Sequence, residues 1–215
     1  MRVLAIDTTG PACSLALADF GEGEIVLGRI VEPMQRGHAE ALMPLMDKLF
    51  SEAGASSHSV ERIAVTVGPG SFTGLRVGVS AARALALALG VPAVGVSVFE
   101  AIREHLGPRD APLAVAIDAR RDEIYLQVFP AAAQAEDPMV MAVQGAAGVI
   151  PPGCRVIGSA ATLLGHDPGP EVLPLDPVAI ARAGRRLEPA RFPPRPLYLR
   201  KPDAKPQTHT RVARA

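Results

Sequence analysis

AIDTTG, at residues 5–10, is answered 111 residues later by AIDARR, at residues 116–121. Each string closes a short apolar run on an aspartate, and each is followed by alternating residues, at 13–19 and 123–129. An apolar run that meets Asp and small polar residues reads as a strand ending in a tight turn, with a second strand returning beside it. A unit repeated at this distance implies a duplicated architecture.

Outward from the first copy, strands at 3–7, 13–19 and 24–32 form an antiparallel meander. A helix at 38–53 follows, apolar at Ala39, Leu42, Met43, Met46, Leu49, Phe50 and Ala53. Gly54 should stop it and Pro44 should kink it or displace its start. A strand at 63–67 runs into GPGSFTGLR and a long helix at 71–89, then come a strand at 93–96 and a helix to 106. The second copy continues through strands at 139–143 and 155–158, a helix from 159, a strand at 172–175 and a helix at 177–187. Twelve of the 21 prolines lie beyond residue 150, so this half should be short and loop-rich. The reading is α/β, with a first lobe at 1–108, a reduced second lobe at 109–200 and a tail at 201–215.

With 215 residues and 48% apolar content, the chain can bury a core without staples. Cys13 and Cys154 have no metal or redox spacing and read as buried thiols of a reducing, cytoplasmic compartment. The N-terminal apolar run is too short for a secretory signal, and the mature chain is expected to begin at Met1. The run at 84–99 is cut by Gly90 and Pro92, which argues against a membrane span. The formal net charge is zero, but residues 180–215 hold ten basic and two acidic side chains. Arg195, Arg200, Lys201 and Lys205 lie in this segment as candidate phosphate contacts, while the simpler reading is a solvated tail.

The two aspartate turns resemble the paired phosphate turns of the actin, Hsp70 and sugar-kinase superfold, whose duplicated lobes close on ATP. Asp7, Thr8, Thr9 and Gly10 suit the first turn, because backbone N–H groups must approach phosphate oxygens. The alternative reading of Asp7 is a strand-end residue that caps its own turn. Asp118-Ala119-Arg120-Arg121 has no glycine and two bulky cations, and Gly158-Ser159-Ala160 is a thin remnant of an adenosine site. GPGSFTGLR lacks the P-loop lysine and fails GxGxxG at Thr73. Gly74, Gly78 and Ala82 recur every fourth residue as a flat stripe, open to another helix or to tight packing within one subunit. No histidine pair stands at i, i+4 and no GxSxG elbow is present, so neither a helical metal site nor a nucleophile emerges.

AIDTTGPACSLAL, RGHAEALMPLMDKLF, VTVGPGSFTGLRVGVSAARALALALGVPAVGVS, AIDARRDEIYLQVF and PLYLRKPDAKP together resemble the TsaB family over nearly the whole chain. The resemblance implies a two-lobed actin-like fold with a reduced second lobe. It further implies a non-enzymatic scaffold that pairs with TsaD, the catalytic paralogue that transfers threonylcarbamoyl to the adenosine beside the tRNA anticodon. A homodimer when alone, a larger assembly with the ATPase TsaE, and ATP or ADP held near the subunit junction are also implied, with no metal. The resemblance places the partner surface on the two long helices, at Leu42, Leu45, Met46, Leu49, Gly74, Gly78, Ala81, Ala82 and Leu85. A competing expectation is an enzyme acting alone, either an ATP-dependent kinase or a protease.

Overall fold

The computed structural model describes residues 1–107, 111–131, 135–167 and 172–200. Strands β1 (Arg2–Asp7), β2 (Ala12–Asp19), β3 (Ile25–Pro33), β4 (Arg62–Thr66) and β5 (Ala93–Val96) form one sheet in the order β3-β2-β1-β4-β5. β1 runs antiparallel to β2 and parallel to β4, which places Asp7 opposite Ser14 and Ile6 beside Val65. Strands β6 (Leu113–Arg120), β7 (Glu123–Phe129), β8 (Met139–Ala142) and β9 (Arg155–Ile157) form a second sheet in the order β8-β7-β6-β9. Strand for strand this repeats β3-β2-β1-β4 and stops one strand short. The repeat seen at Asp7 and Asp118 is therefore a repeat of topology.

Helices α1 (His38–Glu52) and α2 (Phe72–Leu89) cover the outer face of the first sheet, where Leu42, Met46, Leu49, Val79 and Ala82 meet Leu4, Ile6, Leu15, Leu17, Ile63 and Val65. Helices α3 (Val98–Leu106) and α4 (Pro177–Arg186) lie on the opposite face in a core that both sheets share. There Val3, Ala5, Ala16, Phe99, Ile102, Val115, Ile117 and Ile180 come together. Each fully buried Val, Ile or Phe side chain contributes about 1.5–3 kcal/mol, so this shared core binds the two lobes into one structure.

α4 crosses all five strands of the first sheet. Its C-terminal carbonyls are held from that sheet: Arg62 Nη1 donates to the oxygens of Gly184, Arg185 and Leu187 at 3.0, 2.9 and 2.9 Å. A Cβ at Gly184 would press into the Ala64 methyl, so the helix and sheet are in backbone contact. Residues 188–200 then run back along the first lobe, where the Gly95 N–H donates to the Phe192 carbonyl at 2.8 Å and the Leu197 N–H to Val67 at 2.7 Å. The second lobe read at 109–200 is thus not one spatial unit, because its last helix and the chain after it belong to the first sheet.

Several expectations change at the level of elements. Pro44 sits inside α1 without displacing its start, since the helix runs from His38 to Glu52. Gly54 takes a left-handed φ of 58° just past the end, where the Ala55 N–H reaches back to Phe50 and closes the helix in a Schellman pattern. The helix expected from 159 shortens to a single 3-10 turn at Thr162–Leu164, and 172–175 forms no strand. α2 is the one helix among the described residues long and apolar enough to cross a membrane. It is fixed to the sheet through Leu75, Val79 and Ala82, and Arg76 and Arg83 interrupt its exposed surface.

Candidate functional site

The first aspartate turn is closed from three directions. Asp7 Oδ1 accepts from the Thr9 N–H at 2.9 Å, the Thr9 hydroxyl at 2.6 Å and the Thr66 hydroxyl at 2.6 Å. Asp7 is 1% exposed, and its Oδ2 is buried with no hydrogen-bond partner among the described residues, on the side of Gly10. Thr66, at the end of β4, was not foreseen as part of this site. Its only signal was a hydroxyl at the last position of a strand parallel to the one that ends on Asp7.

GPGSFTG forms the roof of this turn. Ser71 caps α2 by accepting from the Gly74 N–H at 3.2 Å, and the Ser71 N–H donates to the Thr9 carbonyl at 2.9 Å. The Thr8 hydroxyl donates to the Gly74 carbonyl at 2.7 Å. A Cβ at Gly74 would overlap the Thr8 carbonyl oxygen, and one at Gly78 would stand 2.5 Å from the Thr8 hydroxyl. The small-residue stripe therefore faces inward and lets α2 lie on the AIDTTG turn, which is the tight-packing alternative. Cys13 is fully buried on β2 beside this turn, and its thiol is pushed up to about 11, first by burial and then by the charges of Asp7 and Glu32.

The second turn keeps the aspartate and loses the grip. Asp118 Oδ1 accepts from the Arg120 N–H at 2.7 Å, the same turn that Asp7 makes with Thr9. Arg120, Arg121 and Asp122 then take φ values of 63°, 59° and 57°, left-handed at positions where hairpins favour Asn or Gly. Ser159, in the string Gly158-Ser159-Ala160, accepts from the Asp118 N–H at 3.0 Å and so serves the turn itself. The first turn is buried beneath GPGSFTG with its Thr9 N–H taken by Asp7, and the second carries two exposed arginines and no glycine. The residues of this chain do not fit a two-turn nucleotide grip.

The remaining expected site residues divide sharply. Leu42, Met46, Leu49, Gly74, Gly78 and Ala82 are buried in the lobe and offer no surface to a partner, which corrects the resemblance's placement. Leu45, Ala81 and Leu85 remain partly accessible, and Met43 at 49% and Leu87 at 85% exposure join them on the outer side. Arg195 is exposed, Arg200 is paired with Glu123 and touches the Arg120 carbonyl, and Lys201 and Lys205 lie outside the described residues.

The family model for TsaD, described as tRNA N6-adenosine threonylcarbamoyltransferase, matches residues 27–162. An uncharacterized protein of Mycobacterium tuberculosis is 35% identical over 207 residues, covering 95% of this chain and 94% of its own length. The Escherichia coli tRNA threonylcarbamoyladenosine biosynthesis protein TsaB is 35% identical over 127 residues, 58% of this chain and 53% of that protein. The solved structure of YeaZ from Pseudomonas aeruginosa superimposes with a TM-score of 0.69 at 28% identity, over 92% of this chain and 99% of that one. The chain belongs to the TsaB family. Its matches to curated TsaB proteins span about half of their length. Its fold is a duplicated α/β architecture with a shortened second sheet.

Proposed function

We propose that this chain acts in tRNA threonylcarbamoyladenosine biosynthesis as a cytoplasmic, non-catalytic subunit that pairs with TsaD through the outward faces of α1 and α2. One observation carries the reading: α2 is eighteen residues long and strongly apolar, yet only Gly74, Leu75, Gly78, Val79 and Ala82 of it are buried in its own lobe. Leu87, Ala84 and Ala88 stand fully outward with Ala81 and Leu85 at the margin, a surface of the kind that association covers. Without the partner, two copies of the same face would cover each other. In the larger assembly TsaE would join.

The scaffold role draws support from the chemistry of the interior. Asp7 is buried, its Oδ1 is taken up by Thr9 and Thr66, and the second turn carries two exposed arginines and no glycine.

Sedimentation velocity of the chain mixed with its cognate TsaD tests the reading. Wild type should form a heterodimer, and Leu87→Arg should abolish it while leaving the thermal transition of the isolated chain within about 0.5 kcal/mol, the usual range for surface changes. A wild type that ignores TsaD, or a variant that binds it as well as wild type, would overturn the proposal.

A further inference from the structure

The chain has eight aromatic residues, and the three that are exposed, Phe72 at 53%, Phe192 at 41% and Tyr198 at 49%, all lie on residues 188–200 or directly beneath them. Phe72 and Tyr198 have ring centroids 5.5 Å apart at 37°. The Arg76 guanidinium lies 3.8 Å from the centroid of Phe72, and its Nε donates to the Tyr198 hydroxyl at 3.3 Å. Arg191 stands 5.8 Å from the ring of Phe192. Phe72, Arg76 and Tyr198 thus form one surface group, and Arg191 and Phe192 a second on the same segment.

The backbone beneath is fixed. The bonds from Gly95 to Phe192 and from Leu197 to Val67 tie the segment to the first sheet, and Arg200 anchors its end on Glu123. Between Phe192 and Tyr198 lie six residue steps, at most about 20 Å of chain. Residues 189–200 contain Arg191, Arg195 and Arg200 and no carboxylate. Aromatic faces alternating with guanidinium groups, on a rigid strip without negative charge, match the requirements of unpaired nucleobases and the phosphates between them. A duplex does not suit the strip, because the bases of an A-form helix offer no faces to stack on.

We infer that residues 191–198, together with Phe72 and Arg76, form a binding strip for single-stranded RNA. Bases stack on Tyr198, Phe72 and Phe192, and phosphates meet Arg195 and Arg191. The inference rests on the tRNA reading above and gives this subunit its own contact with the substrate of the assembly. It also narrows the basic candidates: Arg195 faces RNA, whereas Arg200 is committed to Glu123.

Fluorescence anisotropy with a labelled single-stranded RNA dodecamer, and with unmodified tRNA, tests the strip on the full chain alone and in the TsaD heterodimer. Tyr198→Ala and Phe72→Ala should each weaken binding about five- to tenfold or more with an unchanged salt slope, as lost stacking does. Arg195→Gln should weaken binding and flatten the slope of log K against log salt by about 0.7. Circular dichroism melts establish that the variants are folded, and Tyr198→Phe, which keeps the ring, should bind nearly as wild type does. No RNA binding by either form, or binding that the two alanine variants leave unchanged, overturns the inference. So does an effect of Tyr198→Ala on TsaD affinity with none on RNA, which would make the strip a protein contact. Absence of a heterodimer in the same preparations would sink the scaffold reading while leaving the RNA result on the isolated chain to stand by itself.

Discussion

Thr8 and Gly74 hold α2 to the first aspartate turn: the Thr8 hydroxyl donates to the Gly74 carbonyl at 2.7 Å, and the Thr8 carbonyl oxygen fills the space that a side chain on residue 74 would need. The obstacle is backbone, which does not move aside as a flexible side chain would. Gly74→Ala should therefore cost about 1–3 kcal/mol, the usual range for overpacking, read as a lower urea midpoint at constant m-value. Gly78→Ala, against the Thr8 hydroxyl, should fall in the same range. Larger residues at either position would unfold the lobe before they reported on any interface.

Asp7→Ala removes the acceptor for the Thr9 N–H and for two hydroxyls, all buried. A buried donor left without a partner costs about 1–3 kcal/mol, and the three share one neighbourhood, so a total near 3 kcal/mol is expected in urea denaturation. Thr66→Val, which keeps the shape and removes one hydroxyl, should cost about 1 kcal/mol.

Arg62→Ala removes the guanidinium nitrogen that donates to three carbonyls at the C-terminal end of α4. Hydrogen bonds from a charged group contribute about 1.5–3 kcal/mol, so a loss near 2 kcal/mol is expected. The loss should centre on α4: limited proteolysis should cut after Arg185 or Arg186 sooner than in wild type, and the early fragment pattern is the readout.

The Cys13 thiol, raised to about 11 in the folded chain from an ordinary value near 9, gives stability a dependence on alkaline pH. Below pH 9 the thiol is protonated in both states and its contribution is fully present. Between pH 9 and 11 the unfolded chain loses the proton more readily, so stability should fall across that window. Cys13→Ala should remove that part of the slope in urea midpoints measured from pH 8 to 10.5. At pH 8 a thiol reagent should reach Cys13 only after denaturant is added.

The first half of the fold was legible because local rules sufficed there. β1, β2, α1, β4, α2 and β5 were found within about two residues at each end, since alternation, helical periodicity and stop residues such as Gly54 and Gly90 agree along them. Across residues 159–175 they conflicted: Ser159 to Leu164 has helix formers, but the chain must turn at Gly158 to set Ser159 against Asp118. The site was half legible. The aspartate and its small neighbours could be read, but Thr66 and the direction of the Gly74–Gly78–Ala82 stripe depend on which strand lies beside which, and spacing along one helix does not carry that. The placement of α4 on the first sheet was invisible for the same reason, as its apolar face fits either sheet.

That placement has a consequence for how the molecule comes into being. The inner face of the first sheet, complete by Val96, meets α3 and β6 first but is not closed until α4, starting at Pro177, is available to cross it. During synthesis a chain of some eighty further residues must leave the ribosome before α4 closes the core around Val3, Ala5, Ala64 and Val94. At about 5–20 residues per second that wait lasts roughly 4–16 seconds, long compared with collapse or sheet formation. Nascent chains halted before α4 should be clients of holding chaperones, and the growing polypeptide completes its shared core only once α4 has emerged.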